Sequence, residues 1–544
     1  MFLDWDIFVQ THILVKWYAF IVCTSISLLC LICCKRVVFD LNAISLSVIT
    51  FCGYILIRNY TSTEQFINIA ILISFLILYF CFLIIKGDRK SELDAAIVLA
   101  CIFQCIYALS QYFYSDVFNI TGPFKMLGSF DNPAGLASCL VAGFPIFLTL
   151  LHTRINRWVL CFGALIFSVT IFLSSSRAGL ICIIISSFVY LYSNFLKHKK
   201  HSRIALCVFI CIVICTFFYL FHLKQNSAIG RLLIWETTWN IAKKHLVFGS
   251  GDGSFLTTYM PEQAHYFITH GENRYAWLAD RVVHPFNEYL LLVVEYGLVG
   301  LLILIFGLIL LVSHSQISSP YALCLLSIAI FSLFSYPLRY PFNWVVIAYC
   351  ITRVSGDIKP ILRFTITRKL IKTSWFIAVV ISLFFVYKDA KWEYQWNVVA
   401  KESLSGNTEA MLPYYSKLYK SWNGDCLFLY NYGAELNYIQ KYSLSNIVLT
   451  KSSKYLNDYD TQILLGDNYF NLKEFKKATV HYYQASKMCP NRIIPIYMLH
   501  KISVATGNNS YASYLANKIL HKKVKVPSTI ISIIKNEMKS YLSE

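Results

Sequence analysis

Long apolar runs separated by short polar segments make up the chain as far as Lys388. A helix needs roughly 17–25 apolar residues to cross the hydrocarbon core of a bilayer, and about twelve of the runs approach or reach that length. The pattern therefore predicts an all-α, polytopic membrane domain over residues 1–388. The predicted spans are 17–34, 41–57, 65–85, 94–114, 134–151, 156–174, 178–196, 204–223, 287–313, 319–336, 341–353 and 373–388.

A second pattern begins after Lys388. Residues 389–544 are rich in Tyr, Lys, Asn and Ser and predict a soluble α-helical domain. The tetratricopeptide spacing is matched by Leu465, Gly466, Tyr469, Ala478, Tyr482, Ala485 and Pro490. Gly433 lies 33 residues before Gly466, where a preceding repeat would carry its glycine, and residues 494–521 could form a third repeat. Such repeats stack into a concave surface, which predicts either a protein partner or a structural cap on the membrane domain.

The polar stretch 224–286 separates the eighth and ninth predicted spans. Loops longer than about 15 residues are usually functional or disordered, and the many aromatic residues favour an ordered loop. An amphipathic helix is predicted from Gly230, followed by a glycine-rich turn at 249–253. This turn lacks the Gly-Lys-Ser/Thr ending of a P-loop, and most charged residues of the loop are expected to be solvated.

The composition agrees with a membrane protein and excludes an ordinary soluble one. Hydrophobic residues make up 57% of the 544 residues and charged residues only 14%, whereas soluble domains carry about 25% charged residues. The net charge of +19 does not indicate a nucleic-acid partner, because the basic residues lie mostly in short loops.

These basic residues are concentrated in alternate loops, which predicts that those loops are cytoplasmic. The N-terminus, the loop 224–286 and the C-terminal domain are then expected to face outward. The basic loops carry Lys35 and Arg36; Lys86, Arg89 and Lys90; Arg154 and Arg157; Lys197, Lys199, Lys200 and Arg203; and Arg353, Lys359, Arg363, Arg368, Lys369 and Lys372. The short loops of the other set carry one basic residue each: Arg58, Lys125, Arg177 and Arg339.

Candidate chemistry is concentrated where the ninth span begins. Pro285 suits the first turn of a helix, so we expect His284 at the helix cap, near the boundary between water and lipid. Glu288 would lie one turn further in, and Glu295 on the same face. The alternative is a capping histidine on a helix that packs through the small residues Gly297 and Gly300.

Two further outward segments contain unusual polar residues. Ser174–Gly179 is a very short connection between apolar runs, and its Arg177 needs a partner at that depth. A phosphate would bind the guanidinium through two parallel hydrogen bonds, although the side chain could instead extend to the interface. The segment Gly128–Gly135 is predicted to be a plain turn before the fifth span.

No metal or other cofactor is predicted. The outward side of the membrane domain contains one Asp-x-Asp pair, Asp4 and Asp6, but it precedes the first span. Cys30 and Cys33 have the CxxC spacing of zinc ligands but lie inside a predicted span, and no cluster of His and Cys indicates a zinc site.

Together these segments resemble the O-antigen ligase and polymerase superfamily of bacterial envelope glycosyltransferases over roughly residues 60–340. In the family pattern a histidine directly precedes the asparagine that corresponds to Asn287. This chain has Phe286 at that position, and its histidine, His284, lies two residues before Phe286. The matching pieces are Ser176-Arg177-Ala178-Gly179, Arg231 with Trp235, Gly249-Ser250-Gly251 with Phe255, and Asn287-Glu288-Tyr289-Leu290 continuing through Glu295-Tyr296-Gly297 to Gly300.

The resemblance implies a metal-independent enzyme of the bacterial inner membrane, with the loop 224–286 and the C-terminal domain in the periplasm. It would transfer a glycan from a polyprenyl diphosphate to a hydroxyl of lipid A core, a protein or another glycan. Arg177 and Arg231 would bind the diphosphate. His284 would accept the proton or hydrogen-bond the diphosphate, with Glu288 beside it. Trp235, Asn287 and Glu295 would support the site.

A non-enzymatic alternative is a transporter or flippase for lipid-linked sugars. Transporters carry ionisable residues near the middle of several spans. Here such residues concentrate at one predicted face, with Glu295 as the main exception, which favours the enzyme.

Overall fold

A computed structural model of the chain contains helices over 78% of its length and almost no sheet, which confirms the all-α class. The Asp4–Asp6 pair lies outside the described residues. The structure describes residues 7–11, 13–31, 36–62, 66–85, 90–118, 124–152, 157–197, 199, 202–223, 225–316, 319–356 and 358–543.

Twenty-two α-helices lie in the described ranges. They are α1 Leu14–Leu31, α2 Ala43–Ser62, α3 Phe66–Ile84, α4 Lys90–Phe113, α5 Pro133–Leu148, α6 Arg157–Leu173, α7 Arg177–Leu191, α8 Ser202–Leu223, α9 Gln225–Lys244, α10 Ser254–His270, α11 Glu288–His314, α12 Pro320–Ser332, α13 Pro341–Ser355, α14 Arg368–Glu402, α15 Thr408–Ser421, α16 Cys426–Tyr438, α17 Tyr442–Ser452, α18 Tyr459–Asn471, α19 Phe475–Met488, α20 Ile494–Ala505, α21 Asn509–His521 and α22 Thr529–Ser543. Strands β1 (Arg36–Leu41) and β2 (Leu362–Thr367) form one antiparallel pair.

A helix is present at each of the twelve predicted spans. In the described part of the chain, three helical segments are long and apolar enough to cross a membrane: Ser91–Phe113, Arg177–Leu196 and Glu288–His314. Several of the others are shorter apolar helices. The total of about twelve spans therefore stays a prediction.

The chain divides into two compact units. The first unit comprises Met1–Leu223, Phe286–Tyr289 and Leu298–Tyr394, and the second comprises Lys224–Pro285, Leu290–Gly297 and Gln395–Glu544. The long loop thus belongs to the same unit as the C-terminal helices. The predicted domain boundary at residue 388 stays a prediction.

The first unit has a buried core and an apolar exterior. Its core is built around α5, where Leu136, Ala137 and Leu140 are fully buried. On α11, Leu302, Phe306 and Ile309 are 62%, 58% and 59% exposed and share one helical face. Apolar side chains on an exposed face suit a lipid environment, as the hydrophobic pattern predicted.

Polar contacts mark the two ends of the first unit. At one end, Asp94 accepts hydrogen bonds from Tyr321 and Tyr349, at 2.8 Å each. At the other end of α12, the Tyr289 hydroxyl donates to the carbonyl of Ala329 at 2.9 Å. The beginning of α4 therefore lies at the end opposite the beginning of α11, in agreement with the alternation of basic loops. Which end faces outward stays a prediction.

The C-terminal helices of the second unit form antiparallel hairpins. A Cβ atom on Gly433 would lie 2.5 Å from Leu449, and one on Gly466 would lie 2.6 Å from Tyr482. Each glycine is therefore needed for close packing against the helix that follows, at the same sequence offset in both hairpins. Ala478, Tyr482 and Ala485 are fully buried. The tetratricopeptide assignment itself stays a prediction.

Candidate functional site

The helix at the centre of the predicted site begins later than expected. Helix α11 starts at Glu288, and the Asn287 side chain accepts a hydrogen bond from the backbone N–H of Tyr289 at 3.0 Å. The prediction that Pro285 opens the helix and that His284 caps it was wrong. An asparagine side chain satisfies an N–H group at the helix start, and Asn287 does so here.

Glu288 holds a neighbouring turn. Its carboxylate accepts a hydrogen bond at 3.0 Å from the backbone N–H of Leu338, which lies in the 3₁₀ turn Pro337–Arg339. The Asn343 side chain donates to the Pro337 carbonyl, and the Trp344 indole donates to the Leu338 carbonyl, both at 2.7 Å. Three side chains thus fix this turn beside the start of α11.

Arg177 is the first residue of α7. Ser176 caps this helix by accepting a hydrogen bond from the Gly179 N–H at 3.3 Å. A Cβ atom on Gly179 would lie 3.3 Å from that of Ala137 in α5, so the first turns of α5 and α7 are neighbours. The Cys182 thiol lies 3.4 Å from the carbonyl of Ser327 in α12. These contacts put the beginning of α7 at the same end of the first unit as the beginning of α11.

The segment before α5 is more than the plain turn that the sequence predicted. Asp131 accepts a hydrogen bond from the Tyr340 hydroxyl at 2.6 Å and lies 3.6 Å from the Arg339 guanidinium. Asn132, the N-cap of α5, donates to the hydroxyls of Tyr340 and Tyr336 at 2.8 and 3.1 Å. Sequence reasoning missed these residues. The available signal was that Arg339, like Arg177, is the single basic residue of its loop.

Buried side chains support this segment from behind. Gln111 accepts hydrogen bonds from the N–H groups of Leu127 and Gly128 at 3.0 and 2.7 Å. Gln104 accepts one from the Ser129 N–H at 3.1 Å. Lys16, only 1% exposed, donates to the Ser129 carbonyl. The polar partners make the turn a fixed part of the first unit.

The first unit therefore brings together Arg177, Asn287 and Glu288 with Asp131 and Arg339. The first turns of α5, α7 and α11 lie at this end, and the positive ends of the helix dipoles favour anions. Two guanidinium groups add positive charge. This end of the first unit is suited to an anionic ligand.

In the second unit, α9 holds the segment that carries His284. Arg231 and Trp235 lie one turn apart on the same face of α9. The Trp235 indole donates to the Pro285 carbonyl at 3.0 Å. His284, directly before Pro285, is half-buried. Trp235 thus fixes the backbone next to the predicted catalytic histidine.

The glycine-rich turn at 249–253 forms hydrogen bonds with the backbone of α11. The N–H groups of Ser250 and Gly251 donate to the carbonyls of Val294 and Glu295, at 2.8 and 2.9 Å. The Gly253 N–H donates to the Glu295 carboxylate at 3.0 Å. The carboxylate and the carbonyl of Glu295 therefore both bind this turn. The predicted position of Glu288 and Glu295 on one helix face stays a prediction.

Gly297 interrupts α11. Its φ of 69° and ψ of −172° are not helical, and this region of backbone conformation is open almost only to glycine. A Cβ atom there would collide with the Val247 carbonyl and lie 2.6 Å from the Gly249 nitrogen. The prediction of one continuous helix was wrong at this point, because the glycine allows the loop backbone to approach.

The residues just before His284 are held by the C-terminal helices. Arg492 binds Asp280 at 2.8 Å, and Asp458 binds Arg281 at 2.6 Å. The Asn491 amide donates to the Ala279 carbonyl at 2.7 Å. Partial burial opposes ionisation of Asp280, but hydrogen bonds from Arg492 and from the Arg281 N–H lower its pKa. The sequence predicted that most charged residues of the loop are solvated, and Asp280 and Arg281 are two that form ion pairs instead.

The predicted absence of a metal concerns the side chains that could ligate one. Among the residues that it describes, no group of three or more His, Cys, Asp or Glu side chains could hold a metal ion.

A comparison with known protein families gives a match in the middle of the chain. Residues 162–305 match a family model described as O-antigen ligase. The matched range contains Arg177, Arg231 and the stretch from His284 to Glu295. No curated protein matches the chain. The matched domain supports the O-antigen ligase superfamily for this protein, in agreement with the motifs at 176–179 and 230–300.

Proposed function

We propose that this protein transfers a glycan from a polyprenyl diphosphate to an acceptor hydroxyl at the outer face of the bacterial inner membrane. The match of residues 162–305 to the O-antigen ligase family carries the proposal. The apolar exposed face of α11 supports a membrane location, and the end of the first unit described above supports binding of a phosphate group.

The reaction breaks one bond and forms another. The acceptor oxygen attacks the anomeric carbon, and the bond from that carbon to the phosphate oxygen breaks. Polyprenyl diphosphate leaves with the bonding electron pair, and the hydroxyl proton passes to a base. A direct displacement inverts the anomeric centre. Positive groups that bind the departing diphosphate lower the barrier, because negative charge develops there.

In the first unit, we assign phosphate binding to Arg177. Its guanidinium presents two parallel N–H donors to phosphate oxygens. Asn287 precedes α11 and accepts a hydrogen bond from the Tyr289 N–H, so it fixes the first turn of that helix. Glu288 is a positioning residue in this proposal, because its carboxylate already accepts the Leu338 N–H.

In the second unit, we assign phosphate binding to Arg231 and proton acceptance to His284. A neutral imidazole titrates near pH 7 and suits a base for a hydroxyl. Trp235 fixes the backbone beside His284 through Pro285. Glu295 acts indirectly, by fixing the turn at Gly251–Gly253.

The acceptor class remains threefold in this proposal: lipid A core, a protein hydroxyl or a growing polysaccharide. The loop 224–286 and the C-terminal helices are proposed to be periplasmic. The C-terminal helices are proposed to bind an acceptor or a protein partner on the surface that does not contact residues 279–281.

Mass analysis of a strain that lacks the protein tests the function. We expect lipid-linked glycan to accumulate and one class of glycosylated product to disappear: lipopolysaccharide, glycoprotein or polymer. The wild-type protein and Arg363→Gln should restore the product, whereas His284→Ala should not. Product levels that are unchanged by the deletion would contradict the proposal.

A further inference from the structure

We propose that Arg339 is a second phosphate-binding residue of the first unit, and that a diphosphate oxygen takes the place of Asp131 on its guanidinium. The inference rests on the proposed function and adds a residue to it. The family match ends at residue 305, so Arg339 lies outside the matched range.

Contacts within the first unit bring Arg339 to the end that carries Arg177. The beginning of α7 packs on α5 through Gly179 and Ala137. The residues just before α5 bind Arg339 and Tyr340 through Asp131. The two arginines are thus linked through the first turns of one helix, α5.

The turn that carries Arg339 is rigid. Glu288, Asn343 and Trp344 each hydrogen-bond its backbone. The Arg339 guanidinium lies 5.9 Å from the ring centroid of Tyr336, and the Arg339 side chain is 29% exposed. A rigid turn with a partly exposed guanidinium can bind a ligand without losing much conformational entropy.

The ion pair between Arg339 and Asp131 is long enough for a diphosphate oxygen to replace Asp131. Its separation of 3.6 Å exceeds the 2.7–2.9 Å of a charge-assisted hydrogen bond. The Asp131 carboxylate has its own support from Tyr340 and Asn132, at 2.6 and 2.9 Å. A diphosphate oxygen could therefore replace Asp131 on the guanidinium while the Asp131 carboxylate keeps its contacts with Tyr340 and Asn132.

The chemistry favours two arginines in one unit. A diphosphate ester carries several negative charges on two phosphorus centres, and the leaving group gains more charge as the glycosidic bond breaks. Two guanidinium groups held by one rigid unit match that charge without rearrangement. No bond to Arg339 is made or broken.

Binding of inorganic diphosphate and of geranylgeranyl diphosphate to the purified full-length protein tests this inference. Isothermal titration in detergent would compare wild type with Arg339→Gln and Arg339→Lys. The matched control is Arg363→Gln, which removes the guanidinium of another Arg–Asp pair, formed with Asp40 at 2.6 Å. Thermal unfolding would verify that each variant is folded.

We expect Arg339→Gln to weaken binding of both probes about tenfold or more, since a hydrogen bond to a charged group is lost. Arg339→Lys should retain part of the affinity, and Arg363→Gln should bind as wild type does. Asp131→Asn should bind at least as tightly as wild type, because it removes a competing carboxylate.

Two results would overturn the inference. The first is that a folded Arg339→Gln or Arg339→Lys protein binds the probes with wild-type affinity while Arg177→Lys binds them weakly. The proposed function would then stand, but without a role for Arg339. The second is an equal loss of thermal stability in Arg339→Gln and Asp131→Asn with unchanged affinity, which would make the pair structural only. Wild-type protein that binds neither probe would refute the proposed function as well.

Discussion

His284 is the residue on which the proposed chemistry depends most. It lies three residues after Arg281, which Asp458 holds, and directly before Pro285, whose carbonyl accepts from Trp235. Its backbone is therefore fixed on both sides. Helix capping belongs to Asn287, which separates the role of His284 from the start of α11.

If His284 is the base, His284→Ala should reduce turnover by roughly two to four orders of magnitude, with nearly unchanged donor affinity. If it binds phosphate instead, donor affinity should fall and His284→Arg should keep partial activity. Transfer by detergent-solubilised variants, normalised to folded protein, distinguishes the two. Asn287→Ala is the control for capping: it should lower the free energy of unfolding by about 1 kcal/mol. Normal turnover in His284→Ala would direct attention to His265 and His270.

Arg177 and Arg231 are expected to need their planar guanidinium groups. Lysine at either position keeps the charge and loses the paired donors, so transfer should fall roughly tenfold or more. Arg363→Lys, in an exposed ion pair of the first unit, is the matched control. Wild-type rates in both lysine variants, measured with the same donor, would remove the diphosphate assignment from these two residues.

At the scale of elements, the close approach of the loop 247–251 to the break in α11 is the feature that sequence patterns could not predict. Hydrophobic runs alone indicate where helices lie, since a helix is present at each predicted span. The break at Gly297 depends on a backbone contact with Val247 and Gly249, which are distant in sequence. The network of Asp131 with Arg339 and Tyr340 could not be predicted for the same reason. Local sequence patterns do not report contacts between residues that are far apart in the chain.

Gly297→Ala should therefore destabilise the second unit more than Gly253→Ala. Gly253 also has a positive φ, 72°, but a Cβ atom there would meet nothing within 4 Å. Alanine at Gly253 introduces only backbone strain, about 1–2 kcal/mol. Alanine at Gly297 adds a collision with backbone atoms. Unfolding midpoints of the two variants measure the difference, and equal midpoints would contradict the close approach.

The ion pair of Asp280 with Arg492 should make stability depend on pH. Because the folded pKa of Asp280 is lowered, its contribution is fully present above the unfolded pKa of about 3.9 and is lost as pH falls through the folded value. Asp280→Asn should thus lower the thermal midpoint at pH 6, and the difference from wild type should shrink at acidic pH.

Asp467, in α18, provides a control for which the pKa shift has the opposite sign. Burial raises its pKa, so the folded state gains stability relative to the unfolded state as pH falls through the raised pKa. The effect of Asp467→Asn should therefore change with pH in the opposite direction to that of Asp280→Asn. Parallel pH dependence in the two variants would contradict the assignment of Asp280 to the ion pair.

At the scale of the whole molecule, the charge pattern and the first unit agree on which loops lie at the same end. The strands β1 and β2 pair with each other, and they belong to the loops after α1 and before α14, both predicted to be cytoplasmic. The predicted outward residues Arg177 and Arg339 share the other end. The sequence alone could predict this alternation, because loops rich in Lys and Arg tend to stay on the cytoplasmic side when a chain inserts into the membrane.

Reporter fusions test the orientation. Fusions after Lys200 and after Lys369 should report a cytoplasmic position, and fusions near Gly251 and Gly466 should report a periplasmic one. The two external fusions lie in the second unit, so they should agree with each other. A cytoplasmic signal at Gly466 would refute the proposed position of the C-terminal helices.

The most direct measurement is glycan transfer by the purified protein from a polyprenyl-diphosphate glycan to a defined acceptor. Formation of glycosylated acceptor and release of polyprenyl diphosphate would be quantified together by mass spectrometry. We expect equal amounts of the two products with wild type and Arg363→Gln, and a loss of both with His284→Ala. Movement of intact donor across reconstituted vesicles, with no product and no release with any of the three acceptor classes, would contradict it.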